Sequence, residues 1–154
     1  MNASAAAMTM QSPAAGFAEL DRLYRSTLGI CDDLEAVADS LPEPDRRRCR
    51  QLAVALKPAI EAANALEEAV LFPAILHRLP KESAAIERLR REHLHDRAAA
   101  DEVARVLLML SKGGGARSWD ATGYMLRAYF VSVRRHVACE QSLIASLRTI
   151  AARP

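Results

Sequence analysis

Residues 136–140, His-Val-Ala-Cys-Glu, set an imidazole and a carboxylate four positions apart. On a helix that spacing puts His136 and Glu140 on one face. Met125, Tyr129, Leu143 and Leu147 fall on the same stripe and mark it as the inward one. Burying such a pair is costly unless it holds something. Glu67 and His93 repeat the pattern, each a ligand-type side chain on an otherwise apolar stripe. Two His with carboxylates form a donor set suited to Fe(II), Mn(II) or Zn(II). No nucleophile–base pair at a recognisable spacing, phosphate loop or dinucleotide fingerprint accompanies them. The chemistry indicated is metal binding, and the sequence argues against an enzyme more than for one.

Four helices must position these residues. Phe17, Leu20, Tyr24, Thr27, Cys31, Leu34 and Val37 recur at spacings of three and four and predict a first helix over 17–40. Pro42 and Pro44 stop it, and Asp45 can cap the next. The second helix is expected over 45–77, with its stripe running from Cys49 through Leu56, Ile60, Ala63 and Glu67 to Ala74. Pro58 should kink or break it. A turn over 77–83 leads to a third helix over 83–111, with Ser83 as its cap and Ile86, Leu89, His93, Arg97, Ala100, Val103 and Leu107 inside. The glycine loop 111–118 precedes a fourth helix over 118–151. Short connections between long amphipathic helices make an all-α, up-down-up-down antiparallel four-helix bundle over residues 17–151. Residues 1–16 are expected to form a disordered tail.

Antiparallel packing brings the candidates to one level. Glu67 lies about ten residues before the turn that ends the second helix, and His93 about ten after the third begins. His93 lies about 18 residues before the glycine loop, and His136 about 18 after the fourth helix starts. Three helices therefore deliver ligand-type residues to one layer. His77, near a helix end, and His95, off the stripe, are expected at the surface.

Composition narrows the remaining classes. A chain of 154 residues with 51% hydrophobic but only 5% aromatic residues suits one helical domain. A net charge of +2 argues against nucleic acid or an acidic membrane surface as partner, and the Arg46–Arg50 run reads as a solvated helix face. No apolar run approaches a membrane span, and residues 1–16 make a poor signal peptide. Cys31, Cys49 and Cys139 form no paired framework and read as reduced thiols of a cytoplasmic, bacterial-type protein. Cys31 and Cys139 are expected to be structural, with a metal-coupled thiol sensor as the alternative.

The stretch ALEEAVLFPAIL, residues 65–76, resembles the second-helix signature of the hemerythrin-like, HHE cation-binding family, which ends in Leu-Phe-Pro. RLRREHLHDRAAADEV, HVACEQSLIASL and LDRLYRSTLGICDDLEAVADSL are similar to its third, fourth and first helices, so the resemblance covers about residues 17–148. It implies a hemerythrin-like bundle holding a non-haem di-iron centre. Glu67 matches the bridging Glu, His93 the third-helix His, and His136 and Glu140 the fourth-helix pair. Two departures stand out. Ala63 occupies the second-helix His position, beside Asn64, and Tyr24 aligns with the first-helix His, or Thr27 after a shift of three. A deprotonated Tyr24 is a conceivable ferric ligand.

The donor set therefore predicts a degenerate, mononuclear centre. It would hold iron, with one or two ions and with Mn or Zn as alternatives, in sensing of or response to iron, oxygen, nitric oxide or redox state. Its partners would be the metal and a small diatomic ligand, with a homodimer formed through exposed apolar residues. Two alternatives are a metal-free four-helix interaction scaffold and a di-iron oxygen-binding hemerythrin.

Overall fold

The computed structural model describes residues 13–115 and 118–152, so residues 1–12 of the expected tail and positions 116 and 117 of the glycine loop lie outside the described residues. Helix α1 spans Pro13–Ser40, α2 Arg46–Leu66, α3 Phe72–Arg78, α4 Ser83–Ser111 and α5 Trp119–Ala151. A single π-helical turn, Glu67–Leu71, joins α2 to α3, and a 3-10 turn, Pro80–Glu82, precedes α4. The α2–π–α3 unit acts as one long rod, so the architecture is the expected four-helix bundle. Helix α2 packs on α1 and most extensively on α4, while α1 packs on α5. The fourth seam, between α4 and α5, is the loosest and opens as a groove of about 480 Å³ beside Glu92, Asp96, His136 and Cys139.

Several boundaries differ from the sequence expectation. Helix α1 is already formed at Pro13, the first described residue, ahead of the expected start at residue 17. Pro58 leaves α2 unbroken. The irregularity falls instead just before Pro73, whose ring clashes with a regular helix's carbonyl four residues back. The preceding turn widens, and the Phe72 N–H donates to the Glu67 carbonyl five residues earlier. Ser83 is the first residue of α4 and not its cap; Glu82 holds that position without a side-chain bond, because the 3-10 turn already engages the entering backbone.

Two other caps carry side-chain bonds, Asp45 as expected and Ser118 in addition. The Arg48 N–H donates to Asp45 Oδ1 at 3.0 Å, and the Ala121 N–H to Ser118 Oγ at 3.1 Å. Asp45→Ala leaves an orphan amide at the start of α2 and is expected to cost about 1 kcal/mol, read as a lowered urea midpoint with an unchanged slope.

The core is aliphatic, with Leu20, Leu34, Leu56, Ile75, Leu107 and Ile144 among its fully buried side chains. Two stripes are rotated relative to the sequence reading. On α5, Leu126, Phe130, Val133 and Val137 face inward, Ser132 faces out, and His136 sits on the stripe's edge. On α4, Arg97 is exposed and Asp96 is half-buried in its place, because a guanidinium reaches water more cheaply than it enters an aliphatic layer. Outside the core, Arg134 bridges to Asp32 and Glu35 at 2.7 Å each, and Arg148 to Asp21 at 2.8 Å, linking α5 to α1.

Candidate metal centre

Glu67, His93, His136 and Glu140 each contribute one donor atom to a group whose members all lie within 4.8 Å of one another. A coordination shell with metal–ligand distances of about 2.1 Å needs donors roughly 3–4.2 Å apart, so small side-chain movements would close the group on an ion. The level matching read from loop lengths corresponds to this meeting point. Glu67, His93 and Glu140 are buried to within 1% of complete, and His136 retains 9% side-chain exposure toward the α4–α5 groove. Tyr24 completes the lining from α1, fully buried. The remaining two histidines, His77 and His95, are exposed.

Both imidazoles are held by their outer edges. His93 Nδ1 lies 2.7 Å from Glu68 Oε1, while its Nε2 faces Glu67 Oε2 at 3.0 Å and Glu140 Oε1 at 3.8 Å. His136 Nδ1 lies 3.1 Å from Glu92 Oε2 and 3.7 Å from Asp96 Oδ2, and its Nε2 lies 3.0 Å from Glu140 Oε1. An Nδ1–H donated to an outer carboxylate fixes the tautomer that leaves Nε2 as a donor to a metal. Phe72 stacks on His93 with centroids 5.4 Å apart and further restrains the ring.

Glu68, Glu92 and Asp96 escaped the sequence reading. They are not on the inner stripes that periodicity marks. Glu67 and Glu68 are adjacent, so a regular helix would splay them by about 100°. Both belong to the widened turn Glu67–Leu71 and grip opposite edges of one imidazole.

The unpartnered groups supply an independent test of whether a metal fits. Among the described residues, seven buried side-chain polar atoms lack a hydrogen-bond partner. Four converge on the cluster: Tyr24 OH, Glu67 Oε2, His93 Nε2 and Glu140 Oε2. The 3.0 Å approach of His93 Nε2 to Glu67 Oε2 therefore lacks hydrogen-bond alignment. Buried orphans are rare in folded proteins, and two carboxylates and an imidazole sharing this defect make a donor set that a cation would satisfy.

In the metal-free chain, protons take part of that role. Burial disfavours charge on His93, but Glu140, Glu67 and Glu68 outweigh it and raise its pKa to about 10. His136 follows the same logic: burial opposes the charge, Glu140 and Asp96 override it, and the pKa reaches about 9. Burial pushes Glu67 up to about 8, partly countered by His93. Glu140 resists burial through His136 and His93 and drops to about 2. The Tyr24 phenol is driven well above its usual range by burial and then by the charges of Glu140 and Glu67, so it stays protonated.

None of the cysteines belongs to the cluster. Cys31 is buried and its thiol is pushed up to about 11 by that burial; Cys49 is also buried and raised, for the same reason. Cys139 is half-buried and lines the groove. A thiol-alkylating reagent at neutral pH should modify Cys139 first and reach Cys31 and Cys49 only on unfolding, as read by peptide mass spectrometry. Rapid labelling of Cys31 in the native chain would contradict this packing.

The sequence model of the hemerythrin family, described as the hemerythrin HHE cation-binding domain, matches residues 16–147. No curated protein matches the chain, and no solved structure does.

Proposed function

The chain belongs to the hemerythrin HHE cation-binding family, and on that premise we propose that it binds a single iron ion through His93, His136, Glu67 and Glu140 and responds to iron, oxygen, nitric oxide or redox state. The observation that carries this reading is the orientation of the two imidazoles. Each turns Nε2 toward Glu67 or Glu140 and engages an outer carboxylate through Nδ1. Such outer partners raise ligand basicity and restrict ring rotation. Iron bound there would supply a redox-active Lewis acid within an aliphatic layer.

The chain's own residues limit what that centre can be. Ala63 offers no donor beyond its Cβ, and neither Tyr24 nor Thr27 brings an imidazole from α1. A second ion would share the bridging carboxylates without nitrogen ligands of its own, which favours one metal over the di-iron oxygen carrier. Tyr24 is assigned here as a neutral neighbour of Glu67 and Glu140 that becomes a ligand only if ferric iron displaces its proton. Mn and Zn are the competing metals for this donor set.

One observation favours a metal-free scaffold instead: His136 already hydrogen-bonds Glu140 at 3.0 Å and Glu92 at 3.1 Å, so part of the cluster is self-satisfied. Elemental analysis of protein expressed with iron supplementation separates the readings. About one iron per chain is the expected result; two would restore the di-iron reading, and none under any loading would favour the scaffold. A visible charge-transfer band on ferric loading that is absent from Tyr24→Phe would make Tyr24 a ligand. Within the described residues no helix is long and apolar enough to cross a membrane.

A further inference from the structure

We propose that a second, smaller site adjoins the cluster on the side of the α1–α2 turn, sharing Glu67 and His136 with it as walls, and that it binds one water-sized molecule that both donates and accepts hydrogen bonds, held by Thr27 and Asn64. A void of about 20 Å³ lies there, lined by Thr27, Ala63, Asn64, Glu67, Asp96 and His136, with apolar walls from Ile60, Val133 and Val137. About 10–15 Å³ is the minimum for one water, so the void has room for one such molecule.

The wall chemistry defines the guest. Thr27 is 3% and Asn64 4% exposed, and Thr27 Oγ1 and Asn64 Nδ2 both lack a hydrogen-bond partner. A helical threonine ordinarily turns its hydroxyl back to a carbonyl of the preceding turn; Thr27 does not. Two unpaired groups from different helices thus line one space, and the Glu67 and Asp96 carboxylates supply acceptors on the same walls. Water matches this mixture, since a buried water needs two to four polar partners. An apolar gas would leave Thr27 and Asn64 unpaired, which is the condition buried polar groups avoid.

The space traces to one residue. Ala63 lies four positions before Glu67 and shares its helix face, so a longer side chain there would enter the void. Asp96 and His136 both line the void and the outer α4–α5 groove, so exchange with solvent runs past them. The inference requires no metal, and it can fail while the iron reading stands.

The test uses the full-length, metal-free protein, with water and xenon as probes. Water-to-protein NOE and ROE spectra should show a long-lived contact at the Thr27 γ-methyl and the Asn64 side-chain amide. Xenon pressure should leave the Val133 and Val137 methyl shifts unchanged. Xenon-dependent shifts there with no water contact would define a dry apolar cavity and overturn the proposal. Ala63→Val fills the space, so both water contacts should vanish; their persistence in a folded Ala63→Val protein would equally overturn it.

Discussion

His93→Ala protein expressed with iron supplementation will contain less than about a tenth of the wild-type metal, and so will His136→Ala. Each substitution deletes one of the two nitrogen donors, leaving at best a single imidazole with two carboxylates. Losing even an outer partner of a metal-bound His costs about 10–100-fold in affinity, so losing the ring itself must cost more. Glu92→Gln, which weakens the grip on His136 Nδ1 while sparing the inner donors, supplies the graded intermediate case within that 10–100-fold range. His93→Ala also leaves Glu67 and Glu140 in a buried layer with His136 as the one remaining imidazole, so the metal-free variant will be less stable than wild type. His93→Gln relieves part of that loss through its amide and separates folding effects from ligation. Wild-type metal content in both Ala variants would remove these histidines from the site.

Metal loading will expel protons, and the metal-free protein will lose stability as pH rises. His93 and His136 titrate near 10 and 9 in the folded chain and at 6.5 without its influence. Their contribution to stability is complete below 6.5 and disappears as pH climbs through 9 and 10. Glu67, raised from 4.5 to about 8, acts in the same direction, since its folded form retains a proton that the unfolded form has lost. Glu140 is opposite: held near 2, it stabilises above 4.5, and that support is lost as pH falls through about 2. For this cluster the metal-free optimum therefore lies near pH 4.5, with a decline above it on the order of 1 kcal/mol per pH unit for each proton involved, first from Glu67 and above 6.5 from the histidines as well. Because ligands must be deprotonated, binding should release about two protons or more per metal at pH 7. Calorimetry in two buffers of different ionisation enthalpy measures that number, and denaturation midpoints from pH 6 to 10 measure the decline. A buffer-independent binding enthalpy and flat midpoints would refute this charge arrangement.

The grouping of the four inner residues was legible because periodicity and loop length are both linear in sequence. Once Glu67, His93 and His136 fall on apolar stripes, antiparallel connections fix their relative depth, and the structure brings them together with Glu140. The inward position of Tyr24 was legible for the same reason. The outer carboxylates were not. Glu68, Glu92 and Asp96 look like ordinary surface charge in one dimension, and their role depends on the rotation of a neighbouring ring. The α4 stripe illustrates the resolution limit: Arg97 and Asp96 are adjacent, and a phase error of one residue exchanged an exposed guanidinium for a carboxylate beside His136. Pro58 and Pro73 posed a similar ambiguity. Each is a helix-breaking signal in isolation, and tertiary packing decided which of them the chain accommodates without a break.

The wide turn at Glu67–Leu71 sets the angular phase of everything that follows it. Tightening it to regular α-helical geometry would rotate α3 by about one residue, roughly 100°, and swing Phe72 and Ile75 off the core they now fill. The same rotation would carry Phe72 away from the His93 ring and split the two glutamates between separate faces. The rod from Arg46 to Arg78 thus works as a key with its bit cut at one position: the cut that seats the far end in the bundle is the one that clasps the imidazole. Length changes in residues 67–71 would misalign both at once, whereas the α1–α2 turn has no such double duty.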